Sequence, residues 1–203
     1  MNIRKIKKGD YGYIHSQKII RTLITCITLS IPVAAFFIGR YINGTEKSLI
    51  TVIAILGCLP GCKFATTMIM MFLQKPMKKE EYLSIQEHRR DLTGGYELVI
   101  SAYEKQTFID SLVVVGNTIA AYSSREKTDA RFAEKHIQQI LRDHGFYMNV
   151  KIFQDLKHYL DRLDSLNANR ESLEKDIKWQ PREANPHISR SEYILQIIYA
   201  ISL

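Results

Sequence analysis

Hydrophobic residues form two long runs in the first third of the chain and short periodic groups after it. Residues 19–42 read IIRTLITCITLSIPVAAFFIGRYI, and residues 49–73 read LITVIAILGCLPGCKFATTMIMMFL. Each run has the roughly 20 residues that a helix needs to cross the core of a bilayer. Only NGTEKS, residues 43–48, separates them, so the pattern predicts two transmembrane helices joined by a short external loop.

The hydrophobic pattern changes to shorter periods after Pro76. Gly116-Asn117 separates two apolar runs and is typical of a two-residue hairpin turn. The full pattern predicts a helix over 78–92, strands over 96–103, 111–115 and 118–122, a helix over 129–144, a strand over 146–153 and a helix from 155. We therefore predict a small α/β domain with a mixed β-sheet over residues 78–167, in the order helix-β-β-β-helix-β-helix, with its last two strands parallel.

Residues 168–203 are predicted to form a helical extension, a linker and an apolar C-terminal helix. Ser189 and Glu192 have the spacing of a capping box, with Ile188 and Tyr193 at the positions of a hydrophobic staple. The helix is too short to cross a bilayer, so it must dock onto the domain, the membrane surface or a partner. Its apolar residues form the predicted association surface: Tyr193, Ile194, Ile197, Ile198 and Ile201.

The positive charge of the chain is concentrated around the two long apolar runs. The formal net charge is +7, and residues 1–77 carry ten Lys and Arg against two acidic residues. These basic residues mostly precede the first run, in residues 1–18, or follow the second, which places both termini in the cytoplasm by the positive-inside rule. We therefore expect a two-pass plasma-membrane protein, with the lipid bilayer as a partner and no nucleic acid. A cleaved signal peptide is disfavoured because a second span follows at once.

The segment GCLPGCK, residues 57–63, combines features of helix packing with two thiols. Gly57 and Gly61 share one helix face, a spacing that allows close approach of two membrane helices, and Pro60 is expected to kink the helix. These residues indicate a packed hairpin or a contact between subunits. Cys58 and Cys62 could alternatively supply two ligands to a soft metal or a redox pair. No histidine accompanies them in the apolar runs, so we predict no metal and no cofactor.

Lys63 lies near the centre of the second apolar run, where an ammonium group is costly. Neither apolar run contains an acidic residue to pair with it. Three explanations remain open: Lys63 bonds to carbonyls in the groove between the helices, it snorkels to the cytoplasmic interface, or it contacts an anionic lipid or a partner's carboxylate. Lys63, with Cys58 and Cys62, is thus the candidate functional group inside the membrane.

The order of elements in the domain resembles the core of the restriction-endonuclease-like nucleases. That resemblance implies an Asp at the start of one strand, a position that Asp110 occupies, and an Asp/Glu-x-Lys motif on the next. The next strand reads TIAAYSS and contains neither an acidic residue nor a lysine. We therefore name no catalytic residues, and keep a membrane-tethered enzyme of degenerate nuclease-like fold, with Asp110 and Glu97 as its carboxylates, as an alternative.

Four stretches, CLPGCK, VVVGNTIAAY, NVKIFQDLKHYLDRLDSLN and AISL, resemble a bacterial family of small membrane-anchored proteins. This resemblance implies the architecture of a two-helix hairpin with a cytosolic α/β domain, and it implies no activity. The function predicted here is therefore a non-enzymatic binding or assembly module, forming homo-oligomers or binding a membrane protein partner. A third alternative is a pore or transport accessory formed by oligomerised hairpins and using Lys63.

Overall fold

The computed structural model describes residues 6–43, 49–102, 105–125, 128–175, 177, 179 and 187–202. The chain divides into two compact units, one of Ile14–Pro76 and one that joins Met1–Tyr13 to Met77–Leu203. Residues 44–48 of the predicted external loop and residues 180–186 of the predicted linker lie outside the described residues.

The smaller unit consists of two long apolar helices. Helix α1 runs over Tyr13–Asn43 and helix α2 over Leu49–Phe72, each with one internal proline. Both are long and apolar enough to cross a membrane, and only 17% and 11% of their most apolar windows are buried, unlike the core helices of a soluble protein. Helix α1 begins six residues before the predicted span, so residues 13–18 belong to the same helix.

The larger unit contains a mixed four-stranded sheet in the order β1-β2-β3-β4. Its strands are β1 (Thr93–Ala102), β2 (Lys105–Val115), β3 (Thr118–Tyr122) and β4 (Asn149–Phe153). Strands β1, β2 and β3 pair antiparallel, while β3 and β4 pair parallel, as predicted. Gly116 adopts a φ of 57° in the tight turn between β2 and β3, a conformation that glycine tolerates best.

Helices cover both faces of the sheet. They are α3 (Lys79–Arg89), α4 (Ala130–Asp143), α5 (Leu156–Ala168), α6 (Arg170–Glu174) and α7 (Arg190–Ile201). Helices α4 and α7 pack on one face around Ile137 and Ile198, and α3 and α5 pack on the other around Ile85 and Leu163. The element order predicted from the pattern is therefore the observed one, with α7 added to the layers.

Strand β1 is an edge strand, and segments from both ends of the described chain cover its outer side. The amide of Tyr96 donates to the carbonyl of Gly9 over 2.8 Å, and Ser202 forms a β-bridge with Ile100. Backbone groups on an exposed edge are a template for pairing with other chains. The N-terminal segment and the end of α7 remove much of that template from β1.

Three sequence-based boundaries differ from the structure. Residues 1–18 were predicted to be a basic N-terminus ahead of the first span; in the structure, residues 6–12 belong to the same compact unit as the domain and residues 13–18 are already part of α1. The strand predicted over 96–103 already begins at Thr93, and its residue Gly94 lies so close to β2 that a Cβ there would be 2.2 Å from the carbonyl oxygen of Leu112. The strand predicted from Ser111 starts at Lys105. Its first half shows too little alternation of apolar and polar residues for the sequence pattern to indicate a strand.

Candidate functional site

Two buried acidic residues occupy opposite positions in the backbone register of the β1–β2 pair. Tyr96 pairs with Ser111 and Leu98 with Ile109, which places Glu97 opposite Asp110. Glu97 is 2% exposed and Asp110 is 0% exposed. Two acidic residues in a sheet core are unusual, because burial of a charged carboxylate is costly without partners.

The backbone changes its side-chain alternation at this pair of residues. Tyr96 faces the α3/α5 side of the sheet, whereas Leu98, two residues later, faces the α4/α7 side. Glu97 between them has a φ of 52°, in the left-handed region that non-glycine residues rarely adopt. Such local strain persists where surrounding structure holds it, and it concentrates at functional sites.

Glu97 is tied to the point where the chain re-enters the domain after α2. The amide of Met77 donates to Oε1 of Glu97 over 3.1 Å, and both residues are buried. Burial raises the pKa of the nearby Tyr11 phenol, and the negative charge of Glu97 adds to that rise. Glu97 therefore acts as an acceptor that fixes the chain between α2 and α3.

Asp110 is held on one side only. Its Oδ2 accepts the amide N–H of Ser124 over 2.6 Å, whereas Oδ1 has no hydrogen-bond partner among the described residues. Burial raises the pKa of the Asp110 carboxyl to about 6, with the charge of Glu81 acting in the same direction, and the Ser124 amide and Arg125 offset only part of this. Asp110 can thus hold or release a proton near neutral pH, as a general acid or base must.

The surroundings of Asp110 are aromatic and acidic as well as basic. Burial, with the charges of Glu81, Asp110 and Asp155, raises the pKa of the Tyr122 phenol to about 12. The guanidinium of Arg125 lies 4.5 Å from the ring centroid of Phe108, and burial lowers its pKa. On the α5 side, the hydroxyl groups of Ser111 and Tyr159 lie 3.0 Å apart in a hydrogen bond.

This arrangement lacks the groups that the nuclease resemblance would require. The strand beside Asp110 contributes Ala120, Ala121 and Tyr122, none of which supplies an ammonium group. Among the described residues, no three His, Cys, Asp or Glu side chains come together as a metal site would require. Glu97 and Asp110 are both buried, but each accepts a different backbone N–H, from Met77 and Ser124, and the described residues around them do not complete a catalytic set.

The small residues of α2 pack against α1 of the same chain. A Cβ on Gly57 would lie 3.3 Å from Cβ of Pro32, and one on Gly61 would lie 2.4 Å from Cδ2 of Leu29. Pro60 lies inside an uninterrupted α2. The predicted packing face of Gly57 and Gly61 therefore forms the contact between α1 and α2 of one chain.

The thiols and Lys63 lie on the outer sides of this unit. Cys26 and Cys62 are exposed, Cys58 is half-buried, and all three are free. Lys63 is also exposed, two residues and about 200° round the helix from the buried Gly61. Of the three explanations for Lys63, the groove between α1 and α2 is thus not the one observed.

The predicted association surface on the C-terminal helix is mostly internal. Ile194 and Ile198 are 0% exposed and Ile197 is 8% exposed, all within the α4/α7 core. Tyr193 and Ile201 pack against the edge of that core. These side chains pack helix α7 onto the sheet face between α4 and β1. The predicted association surface is therefore buried inside the domain and is not free for a partner. The predicted capping box of Ser189 and Glu192 is present.

The N-terminal segment is a feature that sequence reasoning missed. Nζ of Lys8 donates to the carbonyl of Tyr199 over 2.8 Å and also to that of Ser202, near the end of α7. The ring of Tyr11 stacks on that of Tyr82 with centroids 4.1 Å apart. The run KKGDYGY contains turn-forming Gly9 and Gly12 and two aromatic residues, a signal for an ordered segment that its basic charge obscured.

No protein-family model, curated protein or solved structure matches this chain. The resemblances drawn from sequence motifs and element order therefore remain predictions.

Proposed function

We propose that this chain is a two-pass membrane protein whose helix pair anchors the α/β domain to the cytoplasmic face of the plasma membrane. The domain acts there as a non-enzymatic binding or assembly module, with a second copy or another membrane protein as its partner. One observation carries the anchoring: the chain leaves the domain at Tyr13 and re-enters it at Met77, and the segments on both sides belong to one compact unit.

The contacts of these two segments support an even number of crossings. Gly9 bonds to Tyr96 and Tyr11 stacks on Tyr82, while Met77 bonds to Glu97. If the chain crossed the bilayer only once between Tyr13 and Met77, the two segments would lie on opposite sides of the membrane, and these contacts could not all form. Two crossings keep them together, and the basic residues around both crossing points favour the cytoplasmic side.

The exposed apolar surface of the helix pair supports the proposal that lipid surrounds it. Large side chains along both helices are more than half exposed, among them Leu23, Ile31, Phe37, Ile55 and Leu59. An apolar surface of this extent is rare on a water-soluble monomer. Lipid contact accounts for it.

Topology labelling tests the proposal. In a background where Cys26, Cys58 and Cys62 are serine, single cysteines replace Asn43, at the end of α1, and Tyr147, a domain residue that is 76% exposed. A membrane-impermeant maleimide should label Asn43→Cys in intact cells, and Tyr147→Cys only in inverted vesicles. Labelling of Tyr147→Cys in intact cells, or release of the protein by alkaline carbonate, would overturn the anchoring.

A membrane-tethered enzyme is the second candidate, favoured by Oδ1 of Asp110, which is buried without a hydrogen-bond partner within the described part of the chain. The purified chain would then cleave a nucleic acid with Mg²⁺, and Asp110→Ala would abolish the cleavage while Asp91→Ala, on the surface, would not. Cleavage that persists in Asp110→Ala, or that never occurs, would remove this candidate.

A further inference from the structure

Contacts between α1 and α2 fix which residues share a level along the helix pair. Nζ of Lys18 lies 3.5 Å from the carbonyl oxygen of Phe72, and Nη1 of Arg21 lies 3.5 Å from that of Thr67. Gly61 lies against Leu29, and Gly57 against Pro32, further along. The two helices therefore run antiparallel with one constant register.

This register sets how deep each basic residue lies in a bilayer. Residues 22–39 of α1 carry no charged side chain, and Arg21 and Arg40 bound this stretch. At 1.5 Å per residue its length is about 27 Å, close to the thickness of a hydrocarbon core. Arg21 thus marks the cytoplasmic boundary, and on α2 that boundary falls at Thr67, before the predicted span end at Leu73.

Lys63 precedes Thr67 by four residues, which is one helical turn, or about 6 Å along the axis. A lysine side chain is long enough to bring its ammonium group across that distance to the headgroup level. Arg21 reaches α2 at the carbonyl of Thr67, the residue one helical turn beyond Lys63. Along the axis of the helix pair the two basic residues therefore lie about one turn apart, one on each helix.

We infer that Lys63 and Arg21 together bind the phosphate group of an anionic phospholipid in the cytoplasmic leaflet. Neither helix contains Asp or Glu, so no carboxylate of the helix pair competes for the two cations. A guanidinium carries five N–H donors, and the contact with Thr67 leaves others for a phosphate oxygen. This inference rests on the proposed anchoring, and it resolves the intramembrane lysine as a lipid site at the boundary.

The test measures which lipids stay with the protein. Full-length wild type and the variants Lys63→Gln, Arg21→Gln and Lys63→Arg are reconstituted in vesicles of equal parts phosphatidylcholine and phosphatidylglycerol. The protein is then re-extracted in mild detergent, and the ratio of the two co-purified lipids is measured. Lys157→Gln, an exposed lysine on α5, is the control of equal charge change.

Wild type, Lys63→Arg and Lys157→Gln should retain phosphatidylglycerol in excess, and each of the two glutamine variants should lower that excess about fivefold. An unchanged excess in Lys63→Gln, or an equal loss in Lys157→Gln, would overturn the lipid site. Carbonate extraction of each variant separates this from the anchoring: if the variants stay membrane-bound without a change in lipid ratio, only the lipid site fails. If wild type is not membrane-bound, both proposals fail.

Discussion

The ammonium group of Lys8 and the backbone carbonyl of Tyr199 form a hydrogen bond of 2.8 Å between positions 191 residues apart. A positive charge at the C-terminal end of a helix compensates the unpaired carbonyl groups and the helix dipole. The segment before α1 is thus joined to the last helix of the domain.

We expect Lys8→Met to lower the free energy of unfolding of the domain by about 1–2 kcal/mol, because the α7 carbonyls lose a charged donor. Fluorescence of Trp179 reports the change, since its ring lies 5.4 Å from that of Tyr193 on α7. Lys7→Met changes the exposed neighbouring residue and should leave the unfolding transition unchanged. Equal effects of both variants would show that net charge, rather than this bond, matters.

The raised pKa of Asp110 predicts that the free energy of unfolding falls as the pH rises. Its carboxyl has a folded-state pKa of about 6, against an ordinary value of 3.8. The folded state therefore binds a proton more tightly than the unfolded state, so this contribution is full below about pH 4 and is lost as the pH passes 6. Between pH 5 and pH 8 the loss should be about 1.5 kcal/mol.

Urea unfolding of the full-length protein in detergent at both pH values checks this. Asp110→Asn keeps an acceptor for the Ser124 amide and cannot ionise, so it should flatten the pH dependence. Asp91→Asn, on the surface, should keep it. A pH dependence that survives in Asp110→Asn would assign it to other groups.

Gly61→Leu should separate α1 from α2, because even a Cβ at this position would lie 2.4 Å from Cδ2 of Leu29. Spin labels on the exposed residues Ile38 and Ile53, near the far end of the pair, should report a longer and broader distance distribution. Cys62→Leu places a leucine at the neighbouring exposed position and should not change the distribution. A change in oligomer mass with unchanged distances would place Gly61 at a contact between subunits instead.

Gly95→Ala should destabilise the domain by about 1–3 kcal/mol through overpacking. A Cβ on Gly95 would lie 2.3 Å from the hydroxyl oxygen of Tyr199, which is also packed against Gly9. Tyr199→Phe removes that oxygen and should recover part of the loss in the double variant. Thermal unfolding of the two single variants and the double variant measures the coupling, and strictly additive losses would contradict this packing.

Local patterns predicted the domain well where periodicity was strong. The hairpin turn at Gly116, helix α4 with its 3.6-residue apolar spacing and the capping box at Ser189 were all legible in the sequence. The role of α7 was not, because an apolar helix fits a core, a membrane surface or a partner equally well until the sheet face that it covers is known.

Glu97 and Asp110 show a second limit of sequence reasoning. Both were recognisable as acids near the sheet, but their opposite positions depend on the register of β1 and β2 across 12 intervening residues and on the left-handed backbone at Glu97. No local preference encodes either feature. The depth of Lys63 likewise required the register between two helices.

The covering of β1 from both ends has a consequence for biosynthesis. The outer side of this strand is complete only when Gly9 and Ser202 are both in place. In the topology we propose, a nascent chain therefore inserts its two apolar helices into the bilayer while β1 still lacks one of its covers. A ribosome that stalls before Ser202 would then leave an unpaired strand edge at the membrane. Fragments beginning at Met77 will carry the same defect from the other end, and should be prone to self-association during translation and purification.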